Sequence, residues 1–182
     1  LKTAMIENAV KKYGEGATLL LSSDSVRSSV SKVIPTFSPE LDKILAKDKN
    51  GNYGMPVGRI VGISGREACG KTTLSVMIMK SVQQMGGLAH LVETENAFDP
   101  AYAEEMGVNL DDLLISQPAY LEQALDIIKD DAENFKNAKA EYIEETGEKW
   151  DVPMVIVLDS IAGVPPKVET DADSFEDEQA RA

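Results

Sequence analysis

Apolar residues recur along this chain with two different periods, and the change of period divides it. Over residues 3–13, Met5, Ile6, Ala9 and Val10 fall at helical spacing, and Gly14 suits a helix C-cap. A short apolar run over 17–21 predicts a strand, and the Ser-rich stretch 22–31 a loop. Ser38-Pro39 predicts a second helix start, with Ser as N-cap, Pro in the first turn, and Leu41, Ile44 and Leu45 on one face. Asn50-Gly51 marks a turn. From residue 59 onward strand and helix alternate. Apolar strands are predicted at 59–64, 88–93, 113–116 and 154–158. Between them lie helices at 72–84 (closed by Gly86-Gly87), from Asp99-Pro100 to Met106, and from Leu121 to about residue 145. The run 154–158 is continuously apolar and β-branched, the pattern of a strand buried on both faces. This alternation predicts an α/β fold with a mainly parallel sheet flanked by helices. Residues 1–35 read as a helix–strand appendage and residues 36–182 as the core.

Composition narrows the setting. The chain has 182 residues, 43% of them hydrophobic, enough for one domain with a real core. No apolar run is long enough to span a bilayer and no signal-peptide pattern opens the chain, so no membrane partner is expected. Cys69 is the single cysteine, which precludes an internal disulfide and predicts a reducing, cytoplasmic location. The formal charge of −13 argues against nucleic acid at face value, because phosphate contacts need Lys and Arg. An acidic protein can still carry a basic groove, so the charge lowers that expectation without removing it. The chain begins at Leu1 and stops at Ala182 without a terminating signal, and reads as a fragment.

One segment carries specific chemistry. Residues Gly65-Arg66-Glu67-Ala68-Cys69-Gly70-Lys71-Thr72 match GxxxxGK[ST] between a predicted strand and a predicted helix, with Thr73 following. Gly65 and Gly70 allow backbone angles that turn successive N–H groups toward one point, and a helix N-terminus adds positive potential. Lys71 would reach the β- and γ-phosphates of ATP, and the Thr72 hydroxyl would help hold Mg2+. Asp159, closing the strand 154–158, is placed to face this loop and contact the same ion. A bland alternative is an Asp that caps the following turn. Together these features read as a P-loop NTPase core. His90, alternating with Leu88 and Val92, reads as a packed strand residue, and Met77, Met79 and Met85 as packing residues. Trp150 is expected to anchor the charged connection that precedes the last strand.

Four stretches extend the likeness: GRIVGISGREACGKTTL from Gly58, ETENAFDPAYAEEMGVNLDDLLISQP from Glu93, EQALDI from Glu122 and VIVLDSIAGVPPK from Val155. With these, the chain resembles the RecA family of DNA recombinases, bacterial or phage, as a truncated ATPase core with a RecA-like, incomplete sheet. The resemblance implies that Glu95 orients and activates the attacking water, with Glu93 as the nearest competitor. It implies that Asp99 and Tyr102 contact the adenine, that Ser160 supports Asp159, and that the N-terminal appendage serves oligomerisation. It further implies a DNA-dependent ATPase that forms a helical filament on single-stranded DNA, pairs it with homologous duplex, and acts in DNA recombination and repair. Arg66 and Ala68-Cys69 depart from the family's usual loop residues, and Asn96 stands where many members have histidine. The charged stretch 129–151 is longer than in bacterial members and is expected to prolong a helix on the solvent side.

The end of the chain pulls the other way. Glu169, Asp171, Asp173, Glu176, Asp177 and Glu178 lie in one stretch without a basic residue, which would repel a phosphate backbone. The family's DNA-contacting loops start near here, so the fragment alone is expected to be a weak ATPase at most. Two other readings share the phosphate loop and Asp159: a ring helicase or KaiC-like ATPase, and a nucleotide-sensing module without DNA chemistry.

Overall fold

The structure, a computed structural model, describes residues 1–14, 18 and 30–170. In chain order its elements are α1 (Lys2–Tyr13), β1 (Val33–Ile34), α2 (Pro39–Leu45), β2 (Met55–Pro56), α3 (Lys71–Gln84), β3 (Leu88–Glu93), α4 (Pro100–Glu105), a 3-10 turn (Leu110–Asp112), β4 (Leu113–Ser116), α5 (Leu121–Thr146), β5 (Met154–Asp159) and α6 (Lys167–Thr170). The strand expected at 17–21 lies outside the described residues but for Thr18. No helix among the described residues is long and apolar enough to cross a membrane.

Three strands form a parallel sheet in the order β4-β3-β5. The central strand β3 is buried from Ala89 to Glu93 because it has a neighbour on each edge and a helix layer on each face. Ala89 and Leu91 point to one face, where they meet Val76 and Met79 of α3 together with Ala103 and Val108. His90 points to the other face, toward α5: its Nδ1 lies 2.5 Å from Asp131 Oδ2 and its Nε2 2.9 Å from Ser116 Oγ. A tautomer that donates from Nδ1 to the carboxylate leaves Nε2 to accept the serine hydroxyl, so both ring nitrogens are satisfied in a buried setting. A second cluster joins Ile78 and Val82 of α3 to Ile34 and Met55 of the small antiparallel pair β1–β2. Full burial of a Met or Val side chain contributes on the order of 1.5–3 kcal/mol over exposure, and these clusters fix α3 against the sheet.

Tight turns set the strand positions. At Gly87, between α3 and β3, an added Cβ would lie 2.3 Å from Pro153 O and 2.7 Å from a Val82 methyl, so only glycine lets β3 enter beside β5. The β1–β2 layer rests on Asp48, whose carboxylate accepts from the Asn52 side-chain amide and from the N–H groups of Asn50 and Asn52. The Asn52 amide is the main cause holding the Asp48 carboxyl below its ordinary range, with burial opposing it.

Three expectations need correction. Residues 59–64 form no strand: ladder bonds require an adjacent strand, and among the described residues β5 pairs only with β3. Ile60 is fully exposed, and Val61 alone of this stretch packs against the second cluster. For the same reason β5 is half-buried along its whole length instead of enclosed on both faces. Ile44 turns to solvent, 79% exposed, because α2 is a helix of seven residues that rests on the β1–β2 layer through Leu45. Val33 and Ile34, near the end of residues 1–35, are buried and pair with β2. By contrast α1 has no buried residue. The stretch 129–146 continues α5 with largely exposed side chains, and Trp150 closes its end by edge contacts with Phe135 and Tyr142.

Candidate functional site

The site gathers where β3 and β5 end and α3 begins. Register aligns Glu93 with Asp159, so two strands finish side by side and deliver their next residues to one place. In open parallel sheets the space beyond the carboxyl ends of the strands is where ligands bind. The loop 65–70 crosses this space and feeds α3 at Lys71.

The loop owes its shape to left-handed backbone at Ala68 (φ 54°) and Gly70 (φ 91°), not at Gly65. At Gly65 an added Cβ would meet only the exposed Cys69 Sγ, at 2.6 Å, a side chain that can rotate away. Arg66, Glu67 and Cys69 are exposed along the turn, so the loop offers its backbone rather than its side chains. The Lys71 ammonium folds over the loop, donating to Gly65 O at 3.3 Å and Arg66 O at 3.0 Å. Gly70 caps the helix without a side chain, which leaves the first N–H groups of α3 open toward the loop.

Across from the loop, the Thr72 hydroxyl donates to Asp159 Oδ2 at 3.0 Å. A hydroxyl and a carboxylate from two separate elements thus meet as a hard-oxygen pair, a donor set that suits Mg2+. Among the described residues no group of three or more His, Cys, Asp or Glu is arranged for a metal. A magnesium ion that takes most of its ligands from phosphates and water needs no such cage. Tyr102, on α4, brings its hydroxyl within 3.0 Å of Thr73 Oγ1, and Asp99 caps α4 by accepting from Tyr102 N at 3.1 Å. The two residues assigned to the adenine are therefore bonded to each other, and one touches the helix that follows the loop.

Glu95 sits just beyond β3, and Ser160 Oγ donates to its Oε1 at 2.5 Å. The expectation that Ser160 supports Asp159 is corrected by this contact: the serine hydroxyl is spent on Glu95. The rest of Ser160 is tied to Thr94, whose hydroxyl accepts from Ser160 N at 2.8 Å and donates to Ser160 O at 2.6 Å. Thr94 N donates to Asp159 O at 3.0 Å, so the ends of β3 and β5 are latched. Gly163 lies so close that a Cβ there would fall 2.2 Å from Thr94 Oγ1 and 2.9 Å from Glu95 Cγ. Glu93, by contrast, is buried and its Oε1 already accepts two backbone N–H groups. Between these side chains lies a small cavity of about 30 Å³ lined by Thr72, Glu93, Glu95 and Asp159, room for a water. Sequence reading did not single out Thr94, Gly163 or Gln117. Their roles arise from contacts between segments more than twenty residues apart, and only the glycine four residues after Asp159 was a local hint.

The sequence model of the RecA N-terminal domain matches residues 1–182, the whole chain. The chain belongs to the RecA family. It is 39% identical over 163 residues to the protein RecA of Roseiflexus castenholzii, covering 90% of this chain and 40% of that protein. It is likewise 39% identical to the RecA proteins of Methylococcus capsulatus and Symbiobacterium thermophilum, over 93% and 94% of this chain and 43% of each relative. The chain thus spans about two-fifths of the length of these RecA relatives. The latch, the hydroxyl–carboxylate pair and the glycine-ended loop all fall inside the matched RecA domain.

Proposed function

We propose that this RecA-family chain is the ATPase core of a DNA-strand-exchange recombinase. The observation that carries the reading is the Thr72–Asp159 bond at 3.0 Å, set between a phosphate-type loop and a carboxylate, Glu95, held by Ser160. In this reading the backbone N–H groups of 65–72 and the Lys71 ammonium bind the β- and γ-phosphates of ATP. Thr72 and Asp159 would hold Mg2+, which would offset the negative charge of those phosphates. Glu95 accepts a proton from the attacking water and orients it for in-line displacement of the γ-phosphate. Tyr102 and Asp99 line the adenine side. At the level of the whole protein, protomers bind single-stranded DNA as a filament, with residues 1–35 contributing to self-association. They pair that strand with homologous duplex and exchange strands, with ATP hydrolysis stimulated by DNA, in the cytoplasm.

A second reading, a nucleotide-sensing module, draws support from the acidic stretch ending at Glu178 and the net charge of −13. The intact protein separates the two. A recombinase hydrolyses ATP faster with single-stranded DNA present and converts it, with homologous duplex, into joint molecules. ATP binding with neither DNA-stimulated turnover nor pairing would leave the sensing module in its place.

A further inference from the structure

The loop that carries Glu95 is built on one buried carboxylate. Glu93 ends β3 with 4% of its surface exposed. Its Oε1 accepts from Glu95 N at 3.1 Å and from Ala97 N at 2.9 Å, so the turn 95–97 hangs from a single oxygen. Its Oε2 accepts from Gln117 Nε2 at 3.3 Å, and the same amide donates to Asn96 Oδ1 at 3.2 Å. Asn96 itself is left-handed, φ 53°, a conformation that asparagine tolerates better than other residues with a side chain. Gln117 follows directly on β4, whose last residue Ser116 has its hydroxyl on His90.

We propose that Glu93 and Gln117 are positioning residues for turnover: together they hold the backbone of 95–97 so that the Glu95 carboxylate stays on the γ-phosphate side of the cavity. The inference rests on the reading of Glu95 as the group that activates water. Neither residue needs to touch the nucleotide. The three donors to Glu93 all lie on this chain, and Gln117 reaches the turn from just beyond β4. A carboxylate suits the task better than an amide, since every contact it makes is with an N–H donor. A glutamine at 93 can keep its Oε1 on the two backbone N–H groups only by turning its NH2 toward Gln117, whose amide must then flip and set its own oxygen against Asn96 Oδ1, so the tie between Gln117 and Asn96 is lost.

That mismatch supplies the test. Steady-state ATP hydrolysis with single-stranded DNA, nucleotide affinity and melting temperature are measured on the intact protein for Glu93→Gln, Gln117→Ala, the double variant Glu93→Gln/Gln117→Glu, and Glu95→Gln as reference. A misplacement near 1 Å costs on the order of a hundredfold in rate, so Glu93→Gln is expected to lower kcat by about ten- to a hundredfold. Nucleotide affinity should stay within about twofold, because the loop 65–72 is untouched. Gln117→Ala, at an exposed side chain, should lower kcat by about three- to tenfold without a change in melting temperature, and it serves where Glu93→Gln fails to fold. The double variant exchanges donor and acceptor between the two positions and should recover most of the loss. Normal kcat in Glu93→Gln or Gln117→Ala, beside an inactive Glu95→Gln, overturns the positioning role alone. Losses of kcat, affinity and melting temperature in parallel, with no recovery in the double variant, also overturn it. Full turnover in Glu95→Gln would instead remove the reading on which the inference stands.

Discussion

Replacing Lys71 with alanine is expected to weaken ATP binding by at least about a hundredfold and to abolish measurable turnover. The ammonium already lies over the loop, bonded to the carbonyls of Gly65 and Arg66, so it is held against the turn that precedes α3. A hydrogen bond to a charged group contributes about 1.5–3 kcal/mol, and a lysine that bridges two phosphates makes at least two of them. About 3 kcal/mol corresponds to roughly a hundredfold in affinity. Arginine does not restore the site, since its planar fork is longer and lacks the compact charge that sits against the loop carbonyls. Titration with a fluorescent ATP analogue reads the effect. An unchanged melting temperature is expected alongside it, because Lys71 is not part of the packed core.

Glu95→Ala should give the opposite split, with nucleotide binding retained and turnover reduced by about 10²–10⁴-fold. Loss of k at constant affinity is the mark of a group that acts in the transition state rather than in binding. The geometry favours this separation, because Glu95 is held by Ser160 on β5's side of the cleft whereas Lys71 is bonded to the loop carbonyls. Glu93 is a poor substitute for it. Its carboxylate is committed to the N–H groups of Glu95 and Ala97 and to Gln117. Pre-steady-state phosphate release with saturating ATP measures the effect directly, and full activity in Glu95→Ala would reassign the base.

Much of the architecture could be read from local pattern. The strands Leu88–Glu93 and Leu113–Ser116 announce themselves as apolar runs between turn residues, and the Asp99-Pro100 and Ser38-Pro39 pairs mark helix starts whose caps are present. The turn that enters α3 was legible as well, because Gly70 holds the left-handed angle that its place before the helix calls for. What local pattern missed depends on partners distant in sequence. Residues 59–64 have the composition of a strand, but pairing needs a neighbour and the stretch meets none among the described residues. The burial of β5 was overestimated for the same cause. Ser160 looked like an accessory of Asp159 because it follows it, whereas its hydroxyl crosses to Glu95, 65 residues earlier. The tie between Thr94 and Ser160 likewise spans 66 residues, and no periodicity encodes it.

The central claim is that the loop amides, Lys71, Thr72 and Asp159 form one pocket for magnesium triphosphate. Isothermal titration of the chain with a slowly hydrolysed ATP analogue, run with millimolar Mg2+ and again with chelator, tests it most directly. The account predicts one saturable site per chain whose affinity falls at least about tenfold without Mg2+, as expected for an ion shared between the phosphates and two protein oxygens. A folded chain that binds no analogue in Mg2+, or binds it equally well in chelator, would contradict it.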